Sequence, residues 1–283
     1  MALTWWPSPA KLNLFLHINQ QREDGYHCLQ TVFQMLDRGD EIAFEPAERL
    51  HMATPMSGVC DEDNLILKAA RLLQDYTNTQ LGCRIHINKN LPMGGGVGGG
   101  SSNAATTLLV LNKLWNLTIP SEELQQLGLS LGADVPVFVN GETTFAEGVG
   151  ESFTPIAIPE SWYLIVHPNI HVSTQTIFTE PDLPRSTPII SPKQYKFEST
   201  QNDCQKIVCN RHPEVAYLLQ WLIQFAPSRM TGTGACVFAQ FNAKHEAEET
   251  LAKLPRKWSG FVAKGVQTSP LIQQLESQRS YTF

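Results

Sequence analysis

The stretch Leu91-Pro92-Met93-Gly94-Gly95-Gly96-Val97-Gly98-Gly99-Gly100-Ser101-Ser102-Asn103 decides how this chain is read. Six of the 19 glycines of the whole sequence fall between positions 94 and 100, too dense a cluster to be incidental. Upstream, Arg84 to Lys89 alternates polar and apolar side chains, the period of a strand with one face on a core. Downstream, Ala104, Ala105, Leu108, Leu109, Leu111, Leu114 and Trp115 recur at helical spacing, so a helix is expected from Ser102 to Trp115. Glycine lets a backbone turn its N–H groups inward and lets a bulky anion approach where a Cβ would obstruct it. Set at the start of a helix, those donors add to the positive end of the helix dipole and favour phosphate. The plainer alternative is a flexible linker, but linkers run between polar, unstructured segments, and this loop joins a strand to an apolar helix.

Outward from the loop, the rest of the chain reads as mixed strand and helix. Strands are expected at 12–18, Ile42 to Glu45, near 137–139, 143–147, 162–167, 236–241 and 260–264. Helices are expected at 64–80, 121–130, 214–225 and 243–253, with a turn over Gly132 to Pro136. Residues 179–201 carry Pro181, Pro184, Pro188 and Pro192 and read as a surface loop. A boundary near residue 155 would leave an N-terminal unit over 1–155 and a C-terminal α+β unit over 156–283.

Composition narrows the class. With 42% hydrophobic and 17% charged residues, the chain is that of a globular protein. The net charge of −6 argues against a nucleic-acid partner, which needs Lys and Arg gathered on one face, so an anionic ligand must find its positive charge locally. The cysteines Cys28, Cys60, Cys83, Cys204, Cys209 and Cys236 form no C-x-x-C pair, and no H-E-x-x-H occurs, so neither a zinc site nor a disulfide framework is indicated. The first residues lack the basic start and apolar core of a secretory signal, and no apolar run nears the ~20 residues of a membrane span. A cytoplasmic protein with small-molecule partners, no membrane association, and a monomeric or weakly homodimeric state is expected.

Known phosphate loops can be compared one by one. A Walker loop needs G-K-[ST], and no lysine lies between Leu91 and Asn112. Gly94, Gly96 and Gly99 satisfy G-x-G-x-x-G in one register, but a ribose-binding acid at the end of a second strand is missing, which speaks against a dinucleotide-dependent oxidoreductase. The segment Pro92 to Ala105 resembles the ATP loop of the galactokinase, homoserine kinase, mevalonate kinase and phosphomevalonate kinase superfamily, with Val97 where leucine or isoleucine is usual. Pro7-Ser-Pro-Ala-Lys11-Leu-Asn13-Leu resembles its first motif and Thr231-Gly-Thr-Gly-Ala-Cys236-Val-Phe its third. Arg22-Glu-Asp-Gly-Tyr26-His27 and Gly132-Ala-Asp-Val-Pro-Val-Phe138 look like the branch that phosphorylates 4-diphosphocytidyl-2-C-methyl-D-erythritol, on the non-mevalonate route to isoprenoid precursors.

The resemblance implies a two-domain α+β small-molecule kinase fold, with ATP and Mg²⁺ as co-substrates. ATP would lie along Pro92, Met93, Gly94, Gly95, Gly96, Val97, Gly98, Gly99, Gly100, Ser101 and Ser102. The two serine hydroxyls could reach phosphate or Mg²⁺, although a serine there is also an ordinary helix cap. Asp134 stands where the superfamily has its catalytic acid and Lys11 where it has its lysine. Flanked by Ala133 and Val135, the acid is expected to be partly desolvated, and pairing with Lys11 would keep it ionised. A turn-stabilising role for Asp134 is the competing reading. Asn13, two residues beyond Lys11 on a strand, would share its face. Tyr26 and Phe178 would sandwich the cytosine, His27 bond its edge, and Thr174 meet the substrate diphosphate. Ordinary core packing is the alternative for the aromatics. A homoserine or mevalonate kinase of the same superfamily is the rival reading, and a non-catalytic nucleotide-binding regulator a more distant one.

Overall fold

The computed structural model describes residues 3–56 and 58–278. In chain order it runs β1 (Trp5–Gln21), β2 (His27–Ala47), β3 (His51–Met52), α1 (Leu65–Thr77), β4 (Gly82–Asn88), α2 (Gly99–Leu114), α3 (Ser121–Leu129), α4 (Val135–Asn140), β5 (Thr144–Glu147) and β6 (Ser152–Pro155). It continues with β7 (Trp162–His167), α5 (Thr174–Phe178), α6 (Gln205–Arg211), α7 (Pro213–Leu222), β8 (Ser228–Met230), β9 (Val237–Phe241), α8 (Lys244–Ala252), β10 (Ser259–Val266) and α9 (Pro270–Ser277).

Long strand β2 is the hinge of the topology. Antiparallel β1 runs beside it from Trp5 opposite Ala43 to Gln21 opposite His27. On its other edge β2 meets β5 at residues 31–33, β10 at 35–36 and β4 at 41–47. The main path of the sheet is β3-β4-β2-β10-β7-β9-β8. Helices α1, α2 and α4 cover the first half, and their apolar residues pack with Trp6, Phe44 and Ile85 of the strands. A second cluster gathers β7, β9 and α7 around Leu164, Val237 and Leu218. Between them a third, with Leu12, Phe15, Tyr163 and Phe238, draws on both halves of the chain.

Two expectations are corrected. Residues 137–139 are helical, not a strand. Val135 to Val139 are all buried, so no alternation is legible there, and Pro136 in the first turn with left-handed Gly141 (φ 68°) after the last makes a short helix of a β-prone run. Helix α2 starts at Gly99, capped by left-handed Gly98, so Ser102 lies inside its first turn and is not the cap. The proline-rich segment 179–201 is a largely exposed loop, as expected, and it is tied to the sheet. It contains two 3₁₀ turns, buries Leu183, and bonds to the strands through Thr187 N–H on Ile18 O (3.1 Å) and Ile190 N–H on Gln30 Oε1 (2.9 Å). Helices α5, α6 and α9 and strands β6 and β8 are short elements that periodicity did not reveal. The six cysteines are free.

Candidate active site

Three separated segments of sequence are knitted together here by backbone bonds. The N–H of Lys11 on β1 donates to Val97 O of the glycine loop (3.1 Å), and Cys236 N–H donates to Gly95 O (3.0 Å). The N–H of Asn13 donates to Thr231 Oγ1 (2.9 Å). Register shifts in the β1–β2 pair fall between Pro9 and Lys11 and between Asn13 and Leu16, and such bulges re-aim side chains beside functional sites.

The glycine loop needs glycine because neighbours occupy the space a side chain would fill. At Gly96 (φ +76°) a Cβ would come 2.5 Å from the Thr231 carbonyl oxygen. At Gly98 (φ +75°) it would come 2.6 Å from Phe138 Cζ and 3.2 Å from Lys11 Cε. The entry to the loop is held by Asp40, which is buried. Its Oδ1 accepts from Asn90 N–H (2.7 Å) and Leu91 N–H (2.8 Å), and its Oδ2 pairs with Lys89 Nζ (2.8 Å). At the exit, Ser8 Oγ donates to Asn103 Oδ1 (2.6 Å) and lies 3.0 Å from Ser102 Oγ. Ser102 is thus committed to the protein interior, while Ser101 faces the cleft.

Lys11 Nζ lies 3.1 Å from Asp134 Oδ2 and donates to Asn13 Oδ1 (2.5 Å). Asn13 is oriented in turn, its Nδ2 donating to Thr31 Oγ1 (3.0 Å), whose hydroxyl donates to Phe15 O (2.5 Å). The lysine ammonium also sits 5.1 Å from the centre of the Phe33 ring. Asp134 itself is 36% exposed, the partial desolvation expected from its apolar neighbours, and its carboxylate opens on the cleft.

Two cavities meet at this point. The larger, about 610 Å³, is lined by Lys11, Asn13, Tyr26, His27, Thr174 and Phe178 together with Thr233 and His171. The smaller, about 400 Å³, follows Pro92 through Ser101 and includes Lys89. Gly94, Gly96, Ser101, Asp134 and Thr174 line both. Tyr26, in the β1–β2 turn where Asp24 Oδ1 accepts its N–H (3.1 Å), is 64% exposed. The Phe178 ring lies against His27, at 5.1 Å between centres and 29° between planes, and not against Tyr26. Burial, and then the Arg185 charge, hold the His27 imidazole below its usual pKa. The Thr174 hydroxyl is 2.8 Å from that of Thr233.

Sequence reasoning missed four residues here. Lys89 stands just before the loop, outside the window searched for a loop lysine, and extending that window by two positions finds it. Thr233 lies inside the quoted C-terminal glycine motif. His171, four residues after His167, and Arg185, by contrast, sit in irregular segments, and Arg185 carries no pattern signal.

Residues 64–142 match the GHMP kinases N terminal domain and residues 190–260 the GHMP kinases C terminal domain. A 4-diphosphocytidyl-2-C-methyl-D-erythritol kinase from Pseudoalteromonas atlantica (strain T6c / ATCC BAA-1087) is 59% identical, over 96% of each chain. The chain belongs to the 4-diphosphocytidyl-2-C-methyl-D-erythritol kinase family of GHMP kinases. A second member, from Hahella chejuensis (strain KCTC 2396), is 52% identical over 97% of each chain. Among solved structures, a 4-(cytidine 5'-diphospho)-2C-methyl-D-erythritol kinase superposes with a TM-score of 0.81 at 28% identity, over 93% of this chain and 100% of the other. The mevalonate kinase of Methanococcus jannaschii superposes with a TM-score of 0.65 at 16% identity, over 94% of this chain and 98% of the other, a likeness of GHMP kinase fold alone. Among the described residues no helix is long and apolar enough to cross a membrane.

Proposed function

We infer that this chain is an ATP-dependent kinase that phosphorylates 4-diphosphocytidyl-2-C-methyl-D-erythritol, an alcohol kinase of the methylerythritol phosphate route to isoprenoid precursors. The observation that carries the reading is the junction of the two cavities, where the Lys11–Asp134 pair stands between the glycine loop and the aromatic cleft. A phosphoryl donor along the loop and an alcohol in the larger cleft would meet at Asp134.

In this reading the backbone N–H groups of 94–100 and the start of α2 grip the ATP phosphates, with Pro92 and Met93 at the entry. The acceptor is the 2-hydroxyl. Asp134 Oδ accepts a hydrogen bond from it and takes its proton as the new O–P bond forms and ADP departs. In a loose transition state that proton moves late, and holding the hydroxyl in line is the larger part of the carboxylate's work. Lys11 pairs with Asp134 and offers positive charge to the transferring group, and Asn13 fixes the direction of the ammonium. Tyr26 and Phe178 flank the cytosine, His27 bonds its edge, and Thr174 meets the diphosphate.

Magnesium fits the donors present. It keeps several waters and takes one or two protein oxygens beside those of phosphate, and the Ser101 hydroxyl and the Asp134 carboxylate both open on the phosphate cleft. Ser101 would hold it, leaving Asp134 free for the acceptor hydroxyl, and it would neutralise phosphate charge during transfer. Residues 1–155 would carry the nucleotide and 156–283 most of the second wall of the acceptor cleft. The halves work together because β1 and β2 reach into both, and Leu271 of the C-terminal α9 packs into the first core.

Turnover separates this reading from its relatives. Purified protein with ATP and Mg²⁺ should release ADP with 4-diphosphocytidyl-2-C-methyl-D-erythritol and not with homoserine or mevalonate. Equal turnover with either smaller alcohol would reassign the substrate. A cleft of about 610 Å³ walled by Tyr26, His27 and Phe178 is built for a base and a diphosphate.

A further inference from the structure

Arg185 lies in the proline-rich segment for which sequence reasoning found no role. Its Nε donates to His27 Nε2 (3.1 Å). One terminal nitrogen donates to the Leu183 carbonyl (3.0 Å), and the other to the carbonyls of Phe178 (3.1 Å) and Glu180 (2.8 Å). One guanidinium therefore holds both His27 and the backbone of Phe178, the two residues whose rings stack in the acceptor cleft.

The chemistry of that contact is one-sided. A guanidinium has donors and no acceptor, so His27 Nε2 must present a lone pair, and the neutral ring then carries its proton on Nδ1. Histidine in water favours the opposite form. Among the described residues the hydrogen bond of the His27 ring is the one Nε2 makes with Arg185, which leaves the Nδ1 N–H as the polar group the ring can offer a ligand. Cytosine presents acceptors at N3 and O2, which that N–H satisfies and a bare Nδ1 lone pair would repel.

We propose that Arg185 is a positioning residue for base recognition, locking His27 in its Nδ1–H form while fixing Phe178 behind it, so that the cleft offers a pyrimidine base a donor and a stacking surface at once. The recognition half rests on the cytidine reading above; the tautomer half does not.

Two measurements test it. Long-range ¹H–¹⁵N spectra of the full chain without substrate should show His27 protonated on Nδ1, and Arg185→Ala should move it toward the Nε2–H form. Arg185→Lys, which cannot span His27 and the Phe178 carbonyl together, replaces it if the alanine variant unfolds. A His27 Nε2–H signal in the unsubstituted protein overturns the proposal. In kinetics, Arg185→Ala should raise KM for the cytidine substrate about 3- to 10-fold, the worth of one neutral hydrogen bond, with KM for ATP and kcat nearly unchanged. In a His27→Asn background the same change should add little. An equal rise in both backgrounds would mean that Arg185 only braces the loop, and would overturn the tautomer role. A correct tautomer in a protein that turns over no cytidine substrate would sink the recognition half and the functional reading with it.

Discussion

Lys11 and Asp134 meet at 3.1 Å with unequal access to solvent, the lysine side chain 2% and the aspartate 36% exposed. The buried member is the cation, anchored by Asn13 from within the sheet, and the open member is the acid, which is the arrangement proton removal from an incoming alcohol requires. Asp134→Asn keeps the shape and removes the carboxylate proposed as the base. It should lower kcat about 10²–10⁴-fold with KM for both substrates little changed. Unaltered turnover would leave the pair a structural ion pair and nothing more. Lys11→Met should also damage folding, because it strands Asn13 Oδ1 in the interior, so melting curves must accompany its kinetics.

Two glycines of the same loop should respond in opposite ways. Gly98→Ala places a methyl 2.6 Å from Phe138 Cζ in a left-handed backbone (φ +75°), whereas at Gly100 the nearest atom to a new Cβ is Leu65 Cδ1 at 3.4 Å. The first change should abolish ATP binding or displace α2. The second should leave kcat/KM for ATP within about 2-fold and add a little helix stability, as alanine does over glycine within a helix. Isothermal titration with a non-hydrolysable ATP analogue reads both, and similar affinities in the two variants would mean that loop shape does not matter to the nucleotide.

Aromatic recognition has its own signature. Removing a stacked side chain costs about 1–3 kcal/mol per base. Tyr26→Ala and Phe178→Ala should therefore each raise KM for the cytidine substrate roughly 5- to 150-fold and leave KM for ATP alone. Tyr26, 64% exposed, should show this with no change in melting temperature. A shift in KM for ATP of the same size would place the base elsewhere.

What was legible in the sequence was whatever had a period or a fixed chemical pattern. The glycine loop, the helix after it and the strand around Lys11 announce themselves locally, and each lies where its pattern implies, whereas Asp134 was singled out through the family resemblance. The short helix over Val135–Asn140 was illegible because burial on every side erases alternation, and β-branched side chains then point to the wrong element. Helix α9 had a readable start, since Ser269 accepts from Ile272 N–H and Pro270 opens the first turn, but it is too short for periodicity to speak. Arg185 was invisible for a different reason. Its partners are mostly backbone carbonyls, whose positions depend on a loop that no sequence rule predicts.

Acidity should weaken the fold through two histidines. His17 and His27 both lie well inside the protein, and burial is the leading cause that lowers each pKa, with Asp203 opposing at His17 and the charges of Arg229 and Arg185 assisting at His17 and His27. The unfolded chain takes up protons on these rings near the ordinary value of 6.5, while the folded chain does so only at lower pH. Between those points the unfolded state holds more protons, so the free energy of unfolding falls with falling pH, by up to about 1.4 kcal/mol per pH unit for each excess proton. The contribution is whole above 6.5 and is lost below it as pH drops toward the folded-state values. Denaturant titrations from pH 8 to pH 5.5 should show a plateau and then a decline, and His27→Asn should reduce the slope of the decline. A free energy that stays level or rises on acidification would show that both rings accept protons in the folded protein, and that Arg185 does not face a neutral imidazole.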